Sequence, residues 1–321
     1  MGKMNLVIIG AVLGLSSFAM AQTESEQQSN QSTVKQSEVK PANSDLKDTD
    51  EEITNKKLRA QLGSKSKWSI RTAMAYQGGS IEKPLDEKRP NYRSSTGTRS
   101  DVYSYMNVAA KYRMTDRTSL NLGTGITVMK PFHRTSNEAT SKSENFNISN
   151  PYLEGNFAYK VGDLQMVSSA SVTGYTESFD VDVRKGTGSL GVDQTVILDS
   201  GRLSGGISVA ISREGYADSK ETFFNPYSNK VEDKTEYSLG IYPFAEYGFT
   251  DKLSFRTVFG YFNYEKTLAA SSFSEATPYQ SMGIGISVTR DFYLYPNVQF
   301  VPNDVRAERT NVGLSANINL L

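Results

Sequence analysis

Few residues in this chain are placed to do covalent chemistry. The lone histidine, His133, is followed by Arg134, Thr135 and Ser136, an imidazole beside two hydroxyls, as nucleophilic hydrolysis would require. No supporting carboxamide is evident for it, and a single histidine leaves little for zinc. Asp180-Val181-Asp182 could offer oxygens to Ca²⁺, but two carboxylates fall short of the roughly six to eight ligands that ion takes, and a solvated loop accounts for them. The fuller set is electrostatic. Arg71, Lys111, Arg113, Glu154, Lys160, Asp193, Arg202, Glu246 and Arg256 all lie on the polar phase of segments in which apolar and polar residues alternate. Such a set can be a group of internal ion pairs, or a charged lining that selects ions in a pore.

Composition narrows the field before the elements are placed. The 321 residues carry 35 basic and 35 acidic side chains, so no net basic field exists to draw nucleic acid. The absence of cysteine excludes disulfide scaffolds, thiolate metal sites, cysteine nucleophiles and a lipobox-type anchor. No cofactor, resident metal or enzymatic activity is expected. Hydrophobic residues are only 37%, yet 18 Tyr and 15 Phe argue against disorder of the whole chain.

The amino terminus reads as an address. Lys3, the apolar run Leu6–Phe18 and Ala19-Met20-Ala21 form a cleavable signal peptide over residues 1–21; the run is too short to span ~30 Å of hydrocarbon as a helix. Residues 22–66 are a polar periplasmic segment, Gln-, Ser-, Asn-, Lys- and Glu-rich, which cannot bury enough apolar area to offset its chain entropy and should be mostly disordered. Within it, Thr49 and Glu52 make a capping box, so Glu51–Leu62 can form a short helix ended by Gly63. Its apolar stripe is thin (Ile53, Leu58, Leu62), and at this length it needs a surface to lean on.

Residues 67–321 alternate with period two. Five short turns, at Thr115–Arg117, Val161–Asp163, Asp199–Gly201, Thr250–Lys252 and around Arg290-Asp291, alternate with six longer polar connections, which separates twelve strands. One phase is free of Asp, Glu, Lys and Arg from Trp68, Ile70 and Met74 through to Ile318 and Leu320; the other carries the nine charges named above among Gly, Ser, Asn and Gln. Strands of ~9–11 residues fit a tilted bilayer crossing better than the ~5–6 of a soluble sandwich. The apolar phase ends in rings: Trp68, Tyr112, Tyr159 and Tyr247 beside the short turns, Tyr76, Tyr237 and Tyr261 beside the long loops, as two interfacial girdles would. The expected fold is all-β, a transmembrane antiparallel up-and-down β-barrel of 12 strands. Pro243 and Pro296 cannot donate to a ladder and mark expected bulges or register breaks.

On these features Trp68–Leu321 resembles the bacterial outer-membrane β-barrel superfamily, porin-like and about twelve-stranded. The likeness implies the outer membrane as location, contact with its lipid and lipopolysaccharide, and handling by the barrel-assembly machinery, to which Asn311–Leu321 looks like the targeting strand although it ends in Leu321 rather than an aromatic. Phospholipases of such membranes pair His with Ser at a spacing where this chain has Thr135, which breaks the match. The chain is also similar, in strand number and in a helix ahead of the first strand, to autotransporter translocators, in which the helix sits in the pore; a self-plugging helix is one expectation from that likeness. Small inward residues such as Gly123, Gly125, Ser171, Gly206 and Gly283 either relieve crowding or open the lumen. The function expected is a channel for passive diffusion of small polar or ionic solutes, the alternative a closed structural or interaction barrel.

Overall fold

The computed structural model describes residues 55–90, 99–133, 146–226 and 229–320. The expected signal peptide, the Thr49–Glu52 pair and residues 134–136 lie outside the described residues. Twelve long strands follow a short helix, α1 (Lys56–Leu62). They are β1 (Trp68–Ser80), β2 (Tyr103–Arg113), β3 (Thr118–Met129), β4 (Phe146–Val161), β5 (Leu164–Gly174), β6 (Gly186–Ser200), β7 (Leu203–Tyr216), β8 (Thr235–Gly248), β9 (Leu253–Gly260, continued by Phe262–Thr267), β10 (Tyr279–Thr289), β11 (Phe292–Phe300) and β12 (Asn311–Leu320). Each pairs antiparallel with its sequence neighbours, and β12 returns to β1 from Ile70↔Leu320 to Ser80↔Asn311, so the sheet is a closed barrel.

Alternation carries through to placement. Leu122 and Leu190, on the apolar phase, are more than 60% exposed on the outer wall. The opposite phase turns Asn121, Lys111 and Glu246 into the barrel, where they are buried. Closure lets every ladder bond form inside the wall, as hydrocarbon requires. Among the described residues no helix is long and apolar enough to cross a membrane; these strands are the spanning elements.

The two prolines behave differently. β8 stays in register with β7 through Pro243↔Ile207, but on its β9 side the ladder stops at Phe244↔Val258 and resumes at Ile241↔Phe262 with one extra residue on β9. The missing N–H of Pro243 thus faces a bulge at Gly260-Tyr261, and the bulge brings Phe262, Tyr264 and Lys266 onto the outward phase and Asn263 and Glu265 inward. Pro296 causes no shift: the register is the same at Gly283↔Asn297 and Ile286↔Leu294 on either side of it.

Aromatic rings pair at both ends of the wall. Trp68 lies tilted against Tyr112 (4.6 Å between ring centroids) and Tyr247 meets Phe249 edge-on (5.7 Å) beside the short turns, and Tyr76 meets Phe132 edge-on (5.3 Å) at the other rim. Tyr237 and Tyr261 are half-buried at that rim, the Tyr261 hydroxyl donating to Gln280 (3.0 Å). Tyr159 departs from expectation: it is only 5% exposed, stacked against Phe157, with its hydroxyl donating to Gln194 (3.4 Å) and accepting from Ser168 (3.3 Å). Ser168 and Gln194 stand on the lipid-facing phase, and the ring covers a polar pair that would otherwise meet acyl chains.

Leu122→Arg should lower barrel stability in lipid vesicles by about 2–4 kcal/mol, the cost of a cation near mid-depth on the lipid face. Reversible urea unfolding in the bilayer reads this directly; an unchanged midpoint would mean that this face does not meet hydrocarbon.

Candidate functional site

The site is the lumen, and α1 lies in it. Asn55 opens the helix, its side-chain oxygen accepting from the Leu58 N–H (3.1 Å), and Gly63 closes it at φ +88°, a conformation that a side chain would strain. The described helix is shorter than the Glu51–Leu62 expected, because Asn55 caps it here and residues 51–54 lie outside the described set. Seven residues are too few to be stable in water alone, so the wall must hold them.

One side of the wall offers an apolar seat. Leu58, 2% exposed, packs on Ala158, Ile197 and Phe244, with Leu62, Val167 and Val258 around it. These wall residues lie on the inward phase of neighbouring strands: Ala158 opposite Val167, and Ile197, Phe244 and Val258 in one row across Gly206. On the facing side Ala60 is buried against Tyr293 and Tyr295.

The two ends of α1 are tied to different arcs of the mouth. The Asn55 N–H donates to Gln165 on β5 (3.1 Å), itself bound to Asp199 of β6 (2.6 Å), and the Lys56 amine reaches the Thr250 carbonyl in the β8–β9 turn (3.3 Å). At the other end, carbonyls left unpaired by the helix accept from the wall: Ala60 from Asn319 of β12 (2.7 Å), Leu62 from Lys111 of β2, Gly63 from Arg290 in the β10–β11 turn (2.7 Å). Lys111 also donates to the Ser64 carbonyl (3.3 Å) and Arg113 to that of Lys65 (2.9 Å). Cations gathered on carbonyl oxygens at a helix C-terminus are favourable for charge as well as for hydrogen bonding. α1 therefore bridges the mouth on the short-turn side.

The nine sequence-derived candidates separate into groups. Lys111 and Arg113 hold α1 rather than line open space. Arg71 meets Glu154 at 2.5 Å, and the same Glu154 oxygen accepts from Asn121 (2.8 Å) and Asn156 (2.7 Å). Glu246 is buried and accepts from Arg256 (2.9 Å) and Ser254 (2.5 Å), while the Arg256 guanidinium lies 4.3 Å from the Phe244 ring centroid. Asp193 faces the open lumen. Lys160 and Arg202 do not join them: Lys160 is exposed at the end of β4, and Arg202 is exposed in the β6–β7 turn. Phase alone placed them inward; their depth puts both at the rim.

Sequence reasoning missed Gln165, Arg290 and Asn319 as helix ligands and Glu265 as a lumen carboxylate, which the bulge at Pro243 turns inward. The apolar seat was legible in principle, since Ala158, Val167, Ile197, Phe244 and Val258 are apolar residues on the phase that should be polar.

Above α1 the lumen opens. One cavity of about 340 Å³ is lined by Ser171, Asp193, Ser212, Tyr242, Asn263 and Glu265 among others. A second of about 210 Å³ shares Ser171 and adds Arg71, Asn107, Tyr152 and Glu154. The inward small residues divide accordingly. A side chain at Gly206 would strike the Phe244 ring, and one at Gly285 the Tyr293 hydroxyl, so there the missing side chain makes room for rings around the helix. Ser171 and Gly191 instead border open space. Lys57 sits on the buried helix, where desolvation and the nearby Arg256 lower its pKa to about 7 against the pull of Glu246.

No protein-family model matches the sequence, and a search of curated proteins finds no match. In fold the chain is similar to an outer membrane channel from Pseudomonas putida F1, at 10% identity over 80% of this chain and 97% of that one, with a TM-score of 0.46. It is similar also to Salmonella typhi OmpF, solved in complex with daunomycin (9% identity, 79% and 96% covered, TM-score 0.36), and to the NanC porin (10%, 78% and 97%, TM-score 0.40). The chain's own register makes it a closed antiparallel barrel of twelve strands with an apolar exterior.

The chain contains no cysteine, so a single Ala60→Cys reporter can follow the helix. In the native background it should resist a membrane-impermeant maleimide. Adding Leu58→Ala, which vacates a buried site worth ~2–5 kcal/mol, should speed labelling by about thirtyfold or more, at roughly tenfold per 1.4 kcal/mol. Equal rates in both proteins would show that Leu58 does not seat the helix.

Proposed function

We propose that this chain is an outer-membrane channel for small polar or ionic solutes, and that α1 is a stopper at its periplasmic mouth. The observation that carries the reading is the contrast between the two halves of the lumen. Above the helix the wall is hydroxyl, carboxamide and carboxylate around open volume, a lining suited to hydrated solutes; at the helix the same wall turns apolar and closes on Leu58. Small barrels with no transport role can fill their lumen along its whole length, and this one does not. The reading assigns the chain no covalent chemistry.

The alternative is a closed barrel that acts through its loops and amino-terminal segment. The occupied mouth favours it, so the two readings part on whether the helix leaves. Planar-bilayer conductance of the full-length protein should show infrequent openings. Leu58→Ala, and separately Asn319→Ala combined with Lys111→Ala, should raise the open fraction at least severalfold. Silence in all three proteins would leave only the closed barrel.

Acidity supplies a further readout. With α1 docked, the Lys57 pKa is about 7; with α1 released into water it returns toward the ordinary 10.5. Between those values the released state binds more protons, so raising the pH from 7 toward 10 favours docking, by up to about 1.4 kcal/mol per pH unit, and below 7 the dependence vanishes. Openings should therefore be more frequent at pH 7 than at pH 9, and Lys57→Met should reduce the difference.

A further inference from the structure

The sequence reads the lipid-facing phase as free of charge; the structure corrects this. β7 runs on past Ile211 to Tyr216 and the bulge on β9 turns Lys266 outward, so that a mostly apolar phase carries cations. Among the described strand residues on that phase, the cations are Arg213 on β7 and Lys266 on β9. Tyr237 of β8 is paired directly with both, so the three side chains stand in one row on one face across adjacent strands. The Arg213 guanidinium lies 5.4 Å and the Lys266 amine 5.6 Å from the centroid of the Tyr237 ring, one cation from each neighbouring strand. Lys266 is also paired with Glu236. Arg213 is exposed and makes no ion pair among the described residues, and its other cross-strand neighbour, Leu190, is an exposed aliphatic side chain.

Depth determines what the guanidinium can meet. From Leu203 at the short-turn end of β7 to Arg213 is ten residues, which at ~3.3 Å per residue and ~45° tilt is a climb of roughly 23 Å. The apolar band of such barrels is about 25 Å tall, so Arg213 stands at its long-loop edge, level with headgroups rather than with acyl chains. A cation there is stable when an anion completes its shell, and a planar guanidinium matches a phosphate through two parallel hydrogen bonds.

We propose that Arg213, braced by Tyr237 and flanked by Lys266, is a binding site on the outer wall for a phosphate of lipopolysaccharide. The site rests on the outer-membrane placement in the proposed function and is independent of whether the barrel conducts. The Tyr237 ring holds the guanidinium by cation–π attraction while leaving its N–H donors free toward the lipid, and the Lys266–Glu236 pair leaves Arg213 as the principal donor.

The test uses full-length protein in detergent, titrated with fluorescent lipopolysaccharide, with its dephosphorylated form, with phosphatidylglycerol micelles and with inorganic phosphate. Native protein should bind phosphorylated lipopolysaccharide about tenfold more tightly than Arg213→Gln, with Arg213→Lys in between, as expected for a charge-assisted bond in a partly dry site. Dephosphorylated lipopolysaccharide should bind both proteins alike. Equal binding of the phosphorylated form by native protein and Arg213→Gln would overturn the proposal; so would equal preference for phosphatidylglycerol, or full competition by inorganic phosphate. Arg213→Gln must show the heat-modifiable gel migration of a folded barrel. If the native protein itself lacks that migration, the membrane placement has failed rather than the lipid site.

Discussion

Hydrocarbon offers no hydrogen bonds, and the rest of the structure follows from that constraint. A chain that crosses it as strands must pair every backbone donor and acceptor within the protein, so the sheet closes from Ile70↔Leu320 to Ser80↔Asn311. Closure then divides the side chains between a face that meets lipid and a face that meets the lumen. The charges required inside find partners there: Arg71 with Glu154, Arg256 with Glu246. Even the local exceptions obey the rule. Ser168 and Gln194, polar on the oily face, are covered by Tyr159, and the missing donor of Pro243 is matched by a bulge on β9.

Closure leaves a cylinder with two ends, and α1 exploits the chemistry of only one of them. Its attachment at the carboxy end is carbonyl chemistry: Lys111, Arg290, Arg113 and Asn319 satisfy oxygens that any helix terminus and following turn leave unpaired. The helix itself carries Lys56, Lys57 and Arg59, and Lys57 comes near the Arg256 cation as well as Glu246. Docking is thus the balance of a terminal dipole, a few carbonyl bonds and one leucine against like-charge repulsion and the desolvation of Lys57. Such a balance is small by construction, unlike the barrel wall, whose pairing extends along every strand. A segment bound by a small free energy inside a frame held by a large one is the arrangement in which local release precedes global unfolding.

The barrel was legible in the sequence because lipid and lumen impose a binary choice on each strand residue, and period two records that choice directly. Strand number, the sites of the short turns and the trouble at Pro243 could all be read from it. Depth could not. Lys160 and Arg202 share the polar phase with Lys111, yet both lie at the rim, because phase tells which way a side chain points and not how far along the tilted strand it stands. The helix ligands were hidden for a related reason: Gln165, Arg290 and Asn319 are far apart in sequence and converge only when the cylinder closes. The apolar seat was present in the letters as five anomalies on the wrong phase, but their meaning depends on their lying at neighbouring depths across β4 to β9.

That seat also explains why the lumen closes where it does. An inward Phe244 or Ile197 facing water would be a cost with no return, and a Gly206 opposite Phe244 would be idle space. Together they are complementary: the glycine lets the ring lie against the wall, the ring presents a flat apolar surface, and Leu58 covers it. Gly285 and Tyr293 repeat the device on the other side, under Ala60. Higher up, Ser171 and Gly191 border open volume, and no helix residue lines it. The position of the helix is therefore set by the wall: Ile197, Phe244, Tyr293 and Tyr295 stand inward at that depth and give Leu58 and Ala60 their apolar contacts.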